Sequence, residues 1–187
     1  MGSDGEFFGK PIGDPVVLAE YDEEWPRRFE YYRYRLLEAL GTVAKRIDHI
    51  GSTAVPGLPA KPVIDIQISV EDLNDEDTYR PPIEGLGWPL RFRSRERRFF
   101  RPPKGEPRTV HIHVCEIGSE WERRHLLFVA YLRAHPEQRD AYAVLKSDLA
   151  RRFKRRRGDY LESKTAFIAE TLVLAEQWAA QSGYRSE

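Results

Sequence analysis

The stretch "HIGSTAVPGLPAKPVIDIQI", His49 to Ile68, decides how this chain is read. Its second half is dense in Val and Ile, the composition of a buried strand. Its first half places Gly51-Ser52 and two loop prolines, Pro56 and Pro59, where a strand must stop and turn. Asp65 lies inside the apolar run, where a carboxylate is costly unless it has a partner, a metal or a chemical task. A Gly-Ser turn beside a strand carrying Asp suits a phosphate and its metal. Glycine lets the backbone come close and aim N–H groups at an anion. Ser52 or Thr53 adds a hydroxyl donor, Lys61 a positive charge, and Asp65 an oxygen ligand for Mg²⁺. A plain tight turn whose Asp meets an arginine fits the same residues equally well.

Outward from this stretch, the periodicity alternates between helix and strand. Trp25, Phe29, Tyr32, Leu36 and Leu40 recur at spacings of three and four, which predicts a first helix ended by Gly41. "KRIDHI" and "KPVIDIQISV" are predicted strands. A helix starting in "EDLNDEDTY" is expected to be interrupted at Pro81-Pro82. "WPLRFRS", "RRFFRP" and "TVHIHVCEI" read as three further strands. The last puts Val110, Ile112 and Val114 on one face and His111, His113 and Cys115 on the other. From Ser119 the chain reads as helical, with a Ser119–Glu122 capping box, Pro136 opening the next helix, and a final helix from about Gly158 to Gln181. Phe167, Ile168, Leu172, Leu174 and Trp178 supply its apolar face. The fold class is therefore α+β, or mixed α/β.

The chain has 187 residues, enough for one domain with a substantial core. At 41% hydrophobic and 32% charged residues it is too apolar for a disordered chain. Thirty basic and thirty acidic side chains cancel, so charge gives no prior for nucleic acid or a membrane. One cysteine, Cys115, excludes an intrachain disulfide. No apolar run is long enough to span a bilayer, and the first ten residues lack a signal-peptide core. A cytoplasmic protein is expected.

"IDHIGSTAVPGLPAKPVIDI" closely resembles the signature of the GrpB family, also called UPF0157. "LAEYDEEWPRRFE", "RRFFR", "TVHIHVCE", "RRHLLFVAYLRAHPE" and "YLESKTAFI" resemble its other motifs in the same order, over roughly residues 16 to 176. The resemblance implies a nucleotidyltransferase-like fold, a mixed sheet of short strands flanked by helices. It implies an N-terminal extension over 1–15, poorly ordered, and one domain over 16–187 with a helical part at about 119–182. In the superfamily pattern, Gly-Ser is followed by Asp-x-Asp or Asp-x-Glu. Asp65 matches the first metal carboxylate, but the second position is Gln67, a neutral amide. The implied activity is metal-dependent transfer of a nucleotidyl, phosphoryl or adenylate group from an NTP to a small molecule, with Mg²⁺ or Mn²⁺. The alternative is an inactive module that binds a nucleotide or phosphorylated metabolite. The family is fused to dephospho-coenzyme A kinase in some bacteria, which implies an accessory role beside a partner protein.

The remaining candidates extend this site. Asp65 and His113 are the expected catalytic pair, and Asp65, His111, His113 and Glu116 the expected metal ligands; the competing reading is a histidine that hydrogen-bonds Asp65 with no metal. His49, Gly51, Ser52, Thr53, Lys61, Arg98, Arg124 and Lys164 are the expected phosphate or substrate contacts, with His49 read more readily as holding the turn. Arg98 is preferred over Arg97 as a bidentate clamp, since alternation sends the two to opposite faces. Arg124 opens a helix, where an anion is welcome. Lys164 is assigned through the family motif. "RRFKRRR", Arg151 to Arg157, reads as a solvated helix end more readily than as a nucleic-acid contact. Cys115 beside the histidines is a remote candidate nucleophile. Walker A, Gly-x-Ser-x-Gly and paired Cys-x-x-Cys motifs are absent from the sequence.

Overall fold

The structure, a computed structural model, describes residues 5–8, 17–154 and 156–185, with residue 157 described by its backbone. Helix α1 (Trp25–Leu40) buries Trp25, Phe29, Leu36 and Leu40, the predicted stripe without the half-buried Tyr32. Strands β2 (Arg46–Ile50) and β3 (Ile64–Val70) flank the Gly-Ser turn and pair antiparallel. Helix α2 (Glu76–Gly85) is followed by β4 (Leu90–Arg93), β5 (Arg98–Phe100) and β6 (Val110–Glu116). Strand β6 lies parallel to β3 and antiparallel to β5. With β1 (Glu6–Phe7) on the outer edge, the order is β1-β4-β5-β6-β3-β2, a mixed sheet.

Alternation along β3 and β6 separates two chemistries. Ile64, Ile66, Ile68, Val110, Ile112 and Val114 are all at most 1% exposed and form the main core with α1 and α2. Asp65, Gln67, Ser69, His111, His113 and Cys115 fall on the opposite face. That face meets helices α3 (Glu120–Ala134), α4 (Pro136–Arg152), α5 (Arg157–Glu162) and α6 (Thr165–Ser182). Asp65 is therefore not in the apolar core that its sequence neighbours suggest. It faces a polar seam between sheet and helical layer.

Four expectations change. Helix α2 continues through Pro81 and Pro82. Each proline removes a helical hydrogen bond, but Tyr79 and Ile83 on the same helix are fully buried, and the Tyr79 hydroxyl donates to the Leu73 carbonyl at 2.5 Å. The last helix is two, because Tyr160 packs on Leu149 while Phe167 and Ile168 pack on a second cluster around Tyr142. The break falls at Ser163-Lys164, and α6 buries Thr171, Leu172 and Ala175, leaving Leu174 41% exposed. Glu6–Phe7, inside the expected extension, pairs with β4 and packs the Phe7 ring at a tilt against Phe92, centroids 4.7 Å apart. The rest of that segment, 1–4 and 9–15, lies outside the described residues. Only half of the capping box forms: Ser119 Oγ accepts from the Glu122 N–H, while the Glu122 carboxylate takes the Gly118 N–H at 2.6 Å and the Ser69 hydroxyl.

Candidate functional site

The chain leaves β2 at Gly51, whose φ of 72° and ψ of −171° are a conformation open to glycine and few others. A Cβ there would lie 2.6 Å from Asp65 Oδ2. The glycine is thus demanded by the carboxylate opposite it. Thr53 donates its hydroxyl proton to the Val63 carbonyl at 3.3 Å, so the contact at 3.0 Å has His49 Nε2–H as donor. Thr53 borders the site but has no proton left for a phosphate. His49 lies on the α1 face of the sheet, its ring stacked on Phe29 at 4.8 Å. Burial lowers its pKa to about 4, so it is neutral at pH 7. His49 thus holds the turn from the α1 side, the structural alternative that the sequence left open, while Thr53 lines the neighbouring recess with its hydroxyl proton already committed to Val63.

Asp65 is the centre of the polar seam. Its Oδ1 accepts from His111 Nδ1 at 2.9 Å, and His113 Nε2 lies 3.7 Å away. Burial would push this carboxyl up, but the two imidazoles outweigh it and hold the pKa well below the usual carboxylate range. Arg97 Nη1 approaches His113 Nδ1 at 2.8 Å. A guanidinium can only donate, so Nδ1 accepts and the neutral imidazole carries its proton on Nε2, toward Asp65. Burial lowers His113 to about 4, which keeps that neutral form at pH 7. His113 is also the first ring of a stack that continues through Trp121, at 5.4 Å, to His125, at 3.7 Å.

These residues do not fit a divalent cation of the nucleotidyl-transfer kind. Such a centre needs carboxylates to offset charge between phosphates. Position 67 offers a fully buried amide whose nitrogen and oxygen both lack hydrogen-bond partners. The nearer Asp65 oxygen is engaged by two imidazoles. His113 has its lone pair turned to the Arg97 guanidinium, which would itself repel a cation. Glu116 is exposed and alternates to the other face of β6, out of reach of Asp65. Among the described residues, no group of three His, Cys, Asp or Glu side chains is placed to hold a metal ion. Cys115 is fully buried and its thiol is pushed up to about 12 by burial, the opposite of an activated nucleophile.

A cleft of about 410 Å³ opens between the turn and the helical layer. Gly51, Ser52, Asp65, Arg124 and Lys164 all line it, so the fold gathers residues more than 100 positions apart. Trp121, Phe128 and Tyr142 form its apolar wall. Lys61 lies in an adjoining recess of about 190 Å³, which shares Ser52, Asp65 and Lys164 with the cleft. Trp121, Tyr142 and Lys146 escaped the sequence reading, and His125 entered it only as part of the matched motif beside Arg124. Lys146 did leave a signal: with Tyr142 and Leu149 it occupies the buried stripe of α4, at spacings of four and three.

Arg98 is not part of this assembly. It points to the core side with Phe100, is 5% exposed, and pairs with Glu76 of α2. Its Nη1 also donates to the Ser94 carbonyl at 2.6 Å. Arg97, its neighbour, is the arginine that reaches the seam. Arg98→Met is expected to lower stability by about 1–2 kcal/mol, because Glu76 and the Ser94 carbonyl each lose a donor while Arg93 still holds Glu76 at 2.7 Å. Urea unfolding at pH 7 checks this, and an unchanged midpoint contradicts the structural role. In the basic run, Arg151 pairs with Asp148 and Arg156 with Asp159 at 2.9 Å, all substantially exposed, which fits the solvated reading. Arg155 lies outside the described residues. Among the described residues, no helix is long and apolar enough to cross a membrane.

A mixed six-stranded sheet with a Gly-Ser turn facing a carboxylate, closed over by a C-terminal helical layer, defines a mixed α/β fold with its cleft between sheet and helices. More specifically, a family model described as GrpB protein matches residues 15–173, and the chain belongs to the GrpB family. It is 38% identical to a UPF0157 protein of Halalkalibacterium halodurans over 166 residues, 89% of this chain and 85% of that one. The crystal structure of conserved protein GrpB from Enterococcus faecalis superposes with a TM-score of 0.77 and 31% identity, over 87% of this chain and 99% of that one. The Cid1 poly(U) polymerase overlays 72% of this chain and 43% of its own with a TM-score of 0.49 and 13% identity, a likeness too distant to carry an activity across.

Proposed function

We propose that this protein binds a phosphorylated small molecule with a flat ring, of the nucleotide class, in the cleft between the Gly51 turn and helices α3 and α6. One observation carries the reading. The same cleft combines an aromatic wall, Trp121, Phe128 and Tyr142, with Arg124, Lys164 and the Ser52 turn. Ligand sites are mostly apolar clefts of this size with a few convergent polar groups. The ring lies against Trp121, which His125 holds by stacking at 3.7 Å. The phosphates turn toward Ser52, Lys164 and Arg124, where N–H and O–H donors converge. Asp65 orients His111 and His113 and shapes the turn.

Metal-dependent nucleotidyl transfer, the finer expectation from the family resemblance, finds less support. Gln67 and the engaged Asp65 leave too little negative charge for a two-cation centre. Thermal unfolding with ATP, CTP, GTP, UTP and the corresponding nucleosides tests the proposal. A ligand bound by the native state alone raises the melting temperature with the logarithm of its concentration. At least one nucleotide is expected to do so, with the shift lost in Trp121→Ala and reduced in Arg124→Ala. No shift with any nucleotide would overturn the reading.

A further inference from the structure

Lys146 is 2% exposed on the buried stripe of α4. A lysine this deep is rare without a carboxylate partner. Its ammonium donates to the Pro59 carbonyl at 2.5 Å and lies 4.9 Å from the centre of the Tyr142 ring. Those two contacts leave donor capacity on a group with three protons. The recess it borders is the smaller one, lined also by Lys61, Lys164, Ser52, Asp65 and His111. Lys61, Lys146 and Lys164 line this recess together with Asp65, whose nearer oxygen is held by His111. Burial, with a smaller contribution from Lys164, lowers Lys146 to about 7, so the fold destabilises the charged form of a side chain that borders the recess. An anion entering the recess would relieve that cost.

We propose that this recess is a phosphate subsite in which Lys146, with Lys61 and Lys164, neutralises the phosphoryl end of the ligand in place of a divalent cation. The ring end lies in the neighbouring cleft, so the inference rests on the reading of that cleft. It differs in one respect: the subsite binds phosphate without a ring and without metal. The chemical class is a di- or triphosphate group. A lysine supplies a point charge that suits this task, and its compact ammonium fits a narrow recess better than a guanidinium would.

The test is calorimetric titration of the parent with inorganic pyrophosphate in excess EDTA, repeated with Mg²⁺. Binding is expected in EDTA, with no gain from Mg²⁺. Lys146→Met is expected to weaken it tenfold or more, while Lys154→Met, which removes an exposed charge, changes it less than twofold. Lys146→Met should melt at or above the parent temperature, since methionine suits the apolar stripe. If that variant does not fold, Lys61→Met decides, and it should weaken pyrophosphate binding at least fivefold. Binding that requires Mg²⁺, binding unaffected by Lys146→Met, or, where that variant does not fold, binding unaffected by Lys61→Met would overturn the inference. No pyrophosphate binding alongside a nucleoside-dependent melting shift would overturn the subsite and leave the cleft intact. Pyrophosphate binding without any nucleotide preference over it would do the reverse.

Discussion

Gly51→Ala is expected to lose about 3–5 kcal/mol of stability, a fall of roughly 10 °C in melting temperature for a chain of this length. Two costs add. The φ of 72° with ψ of −171° is strained for any residue with a Cβ, by about 1–3 kcal/mol. The new methyl would also lie 2.6 Å from Asp65 Oδ2 and 3.0 Å from its Cβ. Asp65 would have to move, which breaks the 2.9 Å bond from His111. Gly87→Ala separates the two effects, because Gly87 has a φ of 92° but nothing within 4 Å of its added Cβ. It should cost about 1–2 kcal/mol. In an Asp65→Ala background the oxygen is gone, so the Gly51→Ala penalty should shrink by at least about 1 kcal/mol. An equal penalty in both backgrounds would show that strain alone accounts for the glycine.

Acidification should unfold the protein well above the usual carboxylate range. His49, His113 and His125 are each lowered from 6.5 to about 4, in every case chiefly by burial. Between those values the unfolded chain binds more protons than the native one. Stability therefore rises with pH in that window and is lost as pH falls from about 6.5 toward 4. Each imidazole contributes up to about 1.4 kcal/mol per pH unit. Three together should remove about 3–5 kcal/mol between pH 7 and pH 5, a large part of a typical domain stability. Asp65 acts in a lower window, since its depressed pKa stabilises the native state above about 4 and that contribution is lost below it. Urea midpoints at pH 7, 6 and 5 measure the slope. His125→Phe keeps an aromatic ring against Trp121 and should flatten the slope by about a third. A slope near zero between pH 7 and 5 would mean that these rings are hydrated in solution.

Much of the site was legible because its parts are local. Gly51 and Ser52 adjoin one another, and Asp65 is one strand away across an antiparallel pair that sets Ile50 opposite it. Alternation on β6 put both histidines on one face, and the register pairs His111 with Asp65. The same alternation placed Arg97 and Arg98 on opposite faces, yet it could not say which face was the cleft. That depended on α2, whose Glu76 claims Arg98 from the core side. His49 shows the same limit: it is two residues from the turn, but the pleat carries it under α1 to stack on Phe29.

By itself, the sequence determined most of the elements from α1 to α4, the class of fold and the family, because each rests on periodicities and motifs carried by neighbouring residues. It determined also that position 67 holds no charge. Tertiary structure decided where Asp65 points and which groups meet it. The carboxylate's oxygen goes to imidazoles 46 and 48 residues later in the chain, and the recess beside it is lined by lysines from α4 and the start of α6. Those encounters depend on how the C-terminal helices pack across the polar face of the sheet. No local propensity encodes such long-range placement, and burial, which lowers His113 and Lys146, exists only once that packing has formed.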